Sequence, residues 1–168
     1  LTSRLSHMKR IILLIVLFAT TTSTLFGQTI VLKSSIPVEK QMVHSNVTYL
    51  VETTIDCKGK EIDIPENCIL NIKSGTIRNG VFVGNKTKLK KCVDKGLAII
   101  VKGTWCAPII NDCYFDATYL TDDQIIGNIN TLQSDDIRNT IIIGTKDYRC
   151  SIGKLNGTAL ILRSNTKC

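Results

Sequence analysis

The sequence predicts an all-β fold, a right-handed parallel β-helix in which short strands stack turn upon turn. Between residues 49 and 110, apolar and polar residues alternate in short runs, the pattern of strands with one buried face. Turn residues such as Gly75, Asn79-Gly80 and Gly84-Asn85 separate these runs. Aromatic residues make up only 5% of the chain, and a narrow core of stacked Ile, Val and Leu side chains does not need large aromatic residues.

A small β-sandwich or a barrel built from antiparallel hairpins is the alternative fold. Asn79-Gly80 is a dipeptide that closes ordinary β-hairpins. Strands in such folds are usually about 5–6 residues long, however, and the runs in this chain are shorter. We therefore expect parallel stacking, with six aliphatic side chains pointing inward: Ile62, Ile64, Leu70, Ile72, Ile77 and Val83.

One short capping helix is predicted to interrupt the strands. Thr121 and Gln124 have the spacing of a capping box, and Leu120 and Ile125 flank it as a hydrophobic staple. The apolar residues that follow fall on one helix face, namely Ile125, Ile126, Ile129 and Leu132. Strands are expected to return at residues 140–143 and 160–162.

Residues 1–28 are predicted to be a signal peptide with an upstream extension. The basic stretch Met8-Lys9-Arg10 precedes an apolar run at residues 11–19, which is shorter than the roughly 20 residues of a membrane-spanning helix. A buried helix or a membrane anchor is the alternative. The prediction is export to the periplasm, the cell surface or the medium, with no stable membrane span after cleavage. Residues 29–48 then form a lead-in segment, and residues 49–168 form the N-terminal portion of a β-helix domain truncated at its C-terminus.

The charge of the chain is mildly basic. The full sequence has a net charge of +7, and without residues 1–28 it retains 18 basic and 14 acidic residues, a net charge of +4. Four lysines lie close together in the sequence, namely Lys86, Lys88, Lys90 and Lys91. They indicate either a solvated face or attraction to an acidic polymer such as a uronate-containing glycan. Nucleic acid is not an expected partner, because no stacking aromatics accompany the basic residues.

The seven cysteines do not have the spacing of a metal site. They are Cys57, Cys68, Cys92, Cys106, Cys113, Cys150 and Cys168, without a CxxC pair. His44 is the only histidine after the predicted signal peptide, and nothing in the sequence places it beside a thiol. Cys57 shares the alternation of Ile55, so we expect it in the core. In an oxidising compartment, a disulfide between Cys106 and Cys113 is the alternative to free thiols.

The acidic and aromatic residues identify no catalytic, cofactor or metal site. Asp122 and Asp123 are expected to stabilise the start of the helix, with metal binding as the alternative. Asp112 and Asp116 flank Phe115 as candidate cation ligands, but no further ligand converges on them. Two aromatic residues remain candidates for stacking against a sugar ring, with core packing as the alternative: Trp105 and Tyr119.

The chain resembles exported parallel β-helix proteins of the pectate-lyase-like group, found in bacteria that degrade polysaccharides. The first set of matching motifs is Lys58-Gly59-Lys60, Ile64-Pro65, Asn79-Gly80 and Gly84-Asn85-Lys86-Thr87. Ser74-Gly75 stands where the family usually has Gly-Gly. The resemblance covers about residues 49 to 168.

A second set of motifs follows at the distance typical of the family. It comprises Tyr114-Phe115-Asp116-Ala117, Thr121-Asp122-Asp123, a strand ending at Gly144, and Tyr148. The family usually has Trp and Gly in place of Tyr114 and Asp116, and it has a shorter spacing between Gly144 and Tyr148.

The resemblance implies a polysaccharide lyase or a glycoside hydrolase in the full-length form. The family's catalytic acids and calcium ligands lie on later coils, which this chain does not contain, so no catalytic position is carried over. A non-catalytic β-helix used for glycan binding or surface adhesion is the second class of function. The expected partner in both cases is a polysaccharide, with an acidic glycan favoured by the lysines.

Overall fold

A computed structural model describes residues 27–134, 138–144 and 166–167. The predicted signal sequence, except for its last two residues, lies outside these ranges, as do the predicted strand at 160–162, Tyr148, Cys150 and Cys168. Two helices are described, α1 Val38–Gln41 and α2 Asp122–Leu132, together with a 3₁₀ turn at Asp112–Tyr114. The strands are β1 Thr29–Val31, β2 Thr48–Val51, β3 Ile55–Asp56, β4 Glu61–Asp63, β5 Ile69–Ile72, β6 Ile77–Lys91, β7 Leu97–Cys106, β8 Ile109–Asn111, β9 Asn139–Ile142 and β10 Thr166–Lys167.

The described strands form a parallel β-solenoid of about four turns, which confirms the predicted fold class. The register defines the turn. Thr29 lies beside Thr48, Thr48 beside Ile69, Ile69 beside Lys88, and Lys88 beside Cys106. The steps along the chain are 19, 21, 19 and 18 residues, so each turn contains about 20 residues.

Three sheet faces surround the core. The first face consists of β1, β2, β5 and the C-terminal parts of β6 and β7. The second face consists of β3 and the starts of β6 and β7, and the third consists of β4 and the middle parts of β6 and β7. Asn79-Gly80 lies within β6, between the second and third faces, and does not close a hairpin. Because the chain continues through this corner in a parallel strand, the antiparallel hairpin predicted by the alternative fold does not form here.

The core consists mainly of stacked aliphatic side chains, with Tyr49, Phe82, Trp105 and Phe115 buried among them. Five of the six predicted inward residues are buried, namely Ile62, Ile64, Leu70, Ile72 and Ile77. The prediction for Val83 is wrong, because Val83 is only partly buried and its neighbour Phe82 occupies the core at 0% exposure. The physical reason is a corner at Asn79, whose φ of 56° lies in the left-handed region. The corner adds one residue to β6 relative to β7 and reverses the alternation that follows.

Helix α1 covers the N-terminal end of the core and lies in the predicted lead-in segment. Strand β1 pairs with β2, so residues 29–48 contain part of the first solenoid turn. Leu32, Val38 and Met42 are buried there and close the apolar interior. A four-residue helix is too short to produce a recognisable periodicity in the sequence.

Helix α2 agrees with the sequence prediction. The Thr121 hydroxyl accepts a hydrogen bond from the Gln124 amide, and the Gln124 side chain accepts one from the Thr121 amide at 2.9 Å. The predicted apolar face is buried, comprising Ile125, Ile126, Ile129 and Leu132. The strand expected at residues 140–143 is β9, at Asn139–Ile142.

Candidate functional site

Three exposed lysines form a basic surface on the outer side of the first face. In the C-terminal part of β6, Thr87 and Leu89 point into the core, so Lys88 and Lys90 point outward. Lys91 follows at the end of the strand and is also exposed. We call Lys88, Lys90 and Lys91 the lysine surface. Residues two apart on a strand are separated by roughly 7 Å, so Lys88 and Lys90 are near neighbours on the outer side, and Lys91 follows at a register shift between β5 and β6.

The lysine surface is a cluster of neighbouring basic residues without an ion-pair partner in the described part of the chain. Five ion pairs link turns in the described part of the chain: Lys60–Glu39, Lys73–Glu52, Arg78–Asp56, Lys86–Glu66 and Lys102–Glu61. Neither Lys88, Lys90 nor Lys91 is among them. Lys86 belonged to the same sequence cluster, but its ammonium donates to Glu66 Oε1 at 2.6 Å, and this hydrogen bond raises the pKa of Lys86.

The register explains why these lysines lack acidic partners. Lys88 lies beside Ile69 on the preceding turn and beside Cys106 on the next one. Lys91 lies beside Asn71, and the Asn71 side-chain oxygen makes no hydrogen bond within the described chain. None of these three neighbours is a carboxylate. The lysine surface can therefore attract anions without first breaking an internal ion pair.

The candidate carboxylates are distributed over separate structural roles. Asp122 and Asp123 lie in the first turn of α2, as predicted. Asp116 accepts hydrogen bonds from the Thr118 amide, at 3.0 Å, and from the Thr118 hydroxyl. Asp112 is buried, and its Oδ2 accepts a hydrogen bond from the Gly144 amide at 3.3 Å. Within the described ranges, the structure contains no group of three or more acidic, histidine or cysteine residues that could hold a metal ion.

The two candidate aromatic residues have opposite environments. Trp105 is only 4% exposed, and its indole nitrogen donates to the Lys102 carbonyl oxygen at 2.6 Å. It therefore packs in the core and is not accessible to a sugar ring. Tyr119 is 55% exposed, and its hydroxyl accepts a hydrogen bond from Arg78 Nη1 at 3.5 Å. Of the two aromatic candidates, Tyr119 is therefore the one whose ring is accessible to a ligand.

Three of the five described cysteines are buried in the core, namely Cys57, Cys68 and Cys92, whereas Cys106 and Cys113 are partly exposed. Cys57 is buried as predicted, and burial raises the pKa of its thiol to about 12. Cys68 donates to the backbone oxygen of His44 at 3.2 Å, so the contact does not involve the imidazole. Cys113 donates to Asp94 Oδ1 at 3.0 Å and is not part of a disulfide, so the Cys106–Cys113 bridge is not formed.

The fold and the lysine surface define the chain as a parallel β-solenoid protein with an uncompensated basic strip on one face. Neither described helix is long and apolar enough to cross a bilayer. No protein-family model, curated protein or solved structure matches the chain. The resemblance to pectate-lyase-like proteins is therefore supported at the level of the parallel β-solenoid alone.

Proposed function

We propose that this chain is the N-terminal part of an exported β-solenoid protein that binds polysaccharide, and that the lysine surface contacts acidic groups of the glycan. The observation that carries the proposal is that Lys88, Lys90 and Lys91 lie together on one strand without acidic partners, whereas five other basic residues are paired. The full-length form would be a lyase or a hydrolase, as the family resemblance implies. A non-catalytic glycan-binding or adhesion protein is the alternative.

The physical basis of the proposal is the match between a row of cations and a polymer of anions. A single exposed ion pair contributes only about 0.2–1 kcal/mol, because water and salt screen it. Several such contacts on a rigid strand add up when one polymer carries all the anions. Glycan binding at this surface should accordingly be weak per sugar residue and sensitive to salt.

The environments of the candidate carboxylates Asp112, Asp116 and Asp122 favour binding over catalysis in this part of the protein. A glycosidase requires two carboxyl groups at a fixed separation on either side of the scissile bond. Asp112 is buried, Asp116 is engaged with Thr118, and Asp122 belongs to the first turn of α2. We therefore expect the purified chain, without its signal peptide, to release no reducing ends or unsaturated products from acidic or neutral polysaccharides. Turnover that is lost in Asp112→Asn, Asp116→Asn or Asp122→Asn would contradict this expectation.

The binding proposal is tested with two matched double variants. Lys88→Gln/Lys90→Gln removes two charges from the lysine surface, and Lys33→Gln/Lys40→Gln removes two exposed charges near α1. We expect the first variant to bind polygalacturonate or alginate about tenfold more weakly at low salt, which corresponds to about 1.4 kcal/mol. The control variant should change affinity less than about twofold, because its lysines lie at the α1 end of the solenoid and not in the C-terminal part of β6. Equal losses in both variants, or no binding by the unmodified chain, would refute the proposal.

A further inference from the structure

A shallow pocket lies at the N-terminal end of the solenoid, away from the lysine surface. Its volume is about 160 Å³. One side is formed by the loop and first helical turn at residues 34–39, and the other by residues 55–58 and Lys60. This volume is several times the ~30 Å³ share of one water molecule and below the ~300 Å³ of a pocket for a drug-sized ligand. It suits a ligand of monosaccharide size.

The pocket walls differ in polarity. Ile36 and Pro37 present an exposed apolar surface on one side, and Ile36 is 41% exposed. Ser34, Ser35 and Asp56 present hydroxyl and carboxylate oxygens along the same pocket. A pyranose ring has the matching character, with apolar C–H faces and a rim of hydroxyl groups. The walls can therefore contact both parts of such a ring.

Hydrogen bonds hold Asp56 in a fixed position. Its Oδ1 accepts from the Lys58 amide at 2.9 Å and from Asn79 Nδ2 at 3.2 Å. Its Oδ2 is 3.3 Å from Arg78 Nε and retains capacity for one more donor, such as a sugar hydroxyl. The Lys58 amide lowers the pKa of Asp56, so this group remains a carboxylate at neutral pH.

The charges of the lining residues cancel. Glu39 is paired with Lys60, and Asp56 is paired with Arg78 just outside the pocket. Lys58 also lines the pocket, so the lining contains two acidic and two basic side chains. A site with no net charge provides no general attraction for a uronate, in contrast to the lysine surface.

We propose that this pocket binds one neutral sugar residue. The proposal extends the polysaccharide function proposed above and rests on it for the class of ligand. The two sites lie on different parts of the solenoid, so a glycan with both neutral and acidic residues would contact them separately. The neutral residue would place its apolar ring face on Ile36 and Pro37 and donate a hydroxyl to Asp56.

The probes are the methyl glycosides of glucose, galactose and mannose, followed by amide chemical shifts. We expect at least one of them to shift the amides of residues 34–39 and 55–60 with millimolar affinity. Ser35→Leu places an apolar side chain in the pocket and should weaken this binding by about tenfold or more. Ser45→Leu makes the same change at an exposed serine outside the pocket and should leave the affinity unchanged. Both serines are exposed, so neither substitution should disturb folding.

Three results would overturn the proposal: no shift at the pocket with any neutral glycoside, equal affinities for Ser35→Leu and Ser45→Leu, or tighter binding of methyl galacturonide than of the neutral glycosides. The double variant Lys88→Gln/Lys90→Gln distinguishes a failure of the pocket proposal from a failure of the proposed polysaccharide function. If acidic polymers bind only at the lysine surface, this variant loses polymer binding and still binds the neutral glycosides with unchanged affinity. Loss of glycoside binding in Ser35→Leu with polymer binding intact would support two distinct sites.

Discussion

At the scale of single residues, glycines allow the turns of the solenoid to approach one another. Gly103 has a φ of +80°, and a Cβ at this position would lie 2.2 Å from the Gly84 carbonyl oxygen. We expect Gly103→Ala to lower the free energy of unfolding by about 3 kcal/mol, because the clash is with backbone and the conformation disfavours a side chain.

Urea unfolding of Gly103→Ala has a matched control in Gly127→Ala. Gly127 lies inside α2, and a Cβ there would meet no atom within 4 Å. This control should raise the free energy of unfolding by about 0.5–1 kcal/mol, because alanine is the better helix former. Similar effects in the two variants would show that turns are not packed as closely as described.

The buried thiols predict how stability depends on alkaline pH. Burial raises the pKa of Cys57 to about 12 and also raises the pKa values of Cys68 and Cys92. In the unfolded chain a thiol ionises at about pH 8.5, so above that pH the unfolded state gains ionised thiolates while the folded state keeps neutral thiols. The contribution to stability is therefore complete below this pH and is lost as the pH rises towards 12.

The measurement is the urea midpoint at about pH 8 and about pH 10.5, which should be lower at the higher pH. Cys57→Ala is the control, because it removes one buried thiol and should reduce the decrease. An unchanged or higher midpoint at alkaline pH would contradict the described burial.

The sequence alone predicts most of the inward residues and the turn at Asn79-Gly80, but not the extra residue that this corner adds to β6. Alternation identified Ile62, Leu70 and Ile77 because each lies in a regular strand on one face. It failed at Val83 because a non-glycine residue, Asn79, takes up a left-handed conformation and reverses the alternation. Lys58 also adopts positive φ, and lysine carries no sequence signal for it.

At the scale of secondary-structure elements, α2 completes the hydrogen bonding of β7 on the third face. Asn128 is buried, and its side-chain oxygen accepts from the Val101 amide at 2.9 Å. Its side-chain nitrogen donates to the Ile99 carbonyl oxygen at 2.8 Å. The Asn128 side-chain amide thus makes the two hydrogen bonds that a neighbouring strand would otherwise make with β7. The capping box made the helix predictable, but β7 lies too far away in sequence for this contact to be predicted.

Replacement of Asn128 tests this role of the helix. Asn128→Leu would leave the Val101 amide and the Ile99 carbonyl buried without partners, so we expect a loss of about 2–3 kcal/mol in the free energy of unfolding. Hydrogen exchange provides an internal control. The Val101 amide should exchange faster in the variant, whereas the Ile77 amide, bonded to the Gly96 carbonyl at 3.0 Å, should not change. Unchanged protection of Val101 would contradict the assignment.

At the scale of the whole molecule, ion pairs follow the period of the solenoid. Four acidic residues precede their basic partners by 20–22 positions, in the pairs Glu39–Lys60, Glu52–Lys73, Asp56–Arg78 and Glu66–Lys86. This spacing equals one turn, so it is a sequence signal for the period that alternation did not reveal. The lysine surface could not be recognised in this way, because its basic character depends on the uncharged residues that the register places beside it.

The solenoid is tested most directly by NMR couplings across individual backbone hydrogen bonds. The parallel solenoid predicts a coupling between the Ile69 amide nitrogen and the Val47 carbonyl carbon, whose hydrogen bond is 2.9 Å long. It also predicts a coupling between the Lys88 amide nitrogen and the Cys68 carbonyl carbon, one turn further on, again across 2.9 Å. Couplings that pair residues symmetrically about Asn79-Gly80, such as Arg78 with Val81, would contradict the parallel solenoid, because they would place a hairpin at this corner.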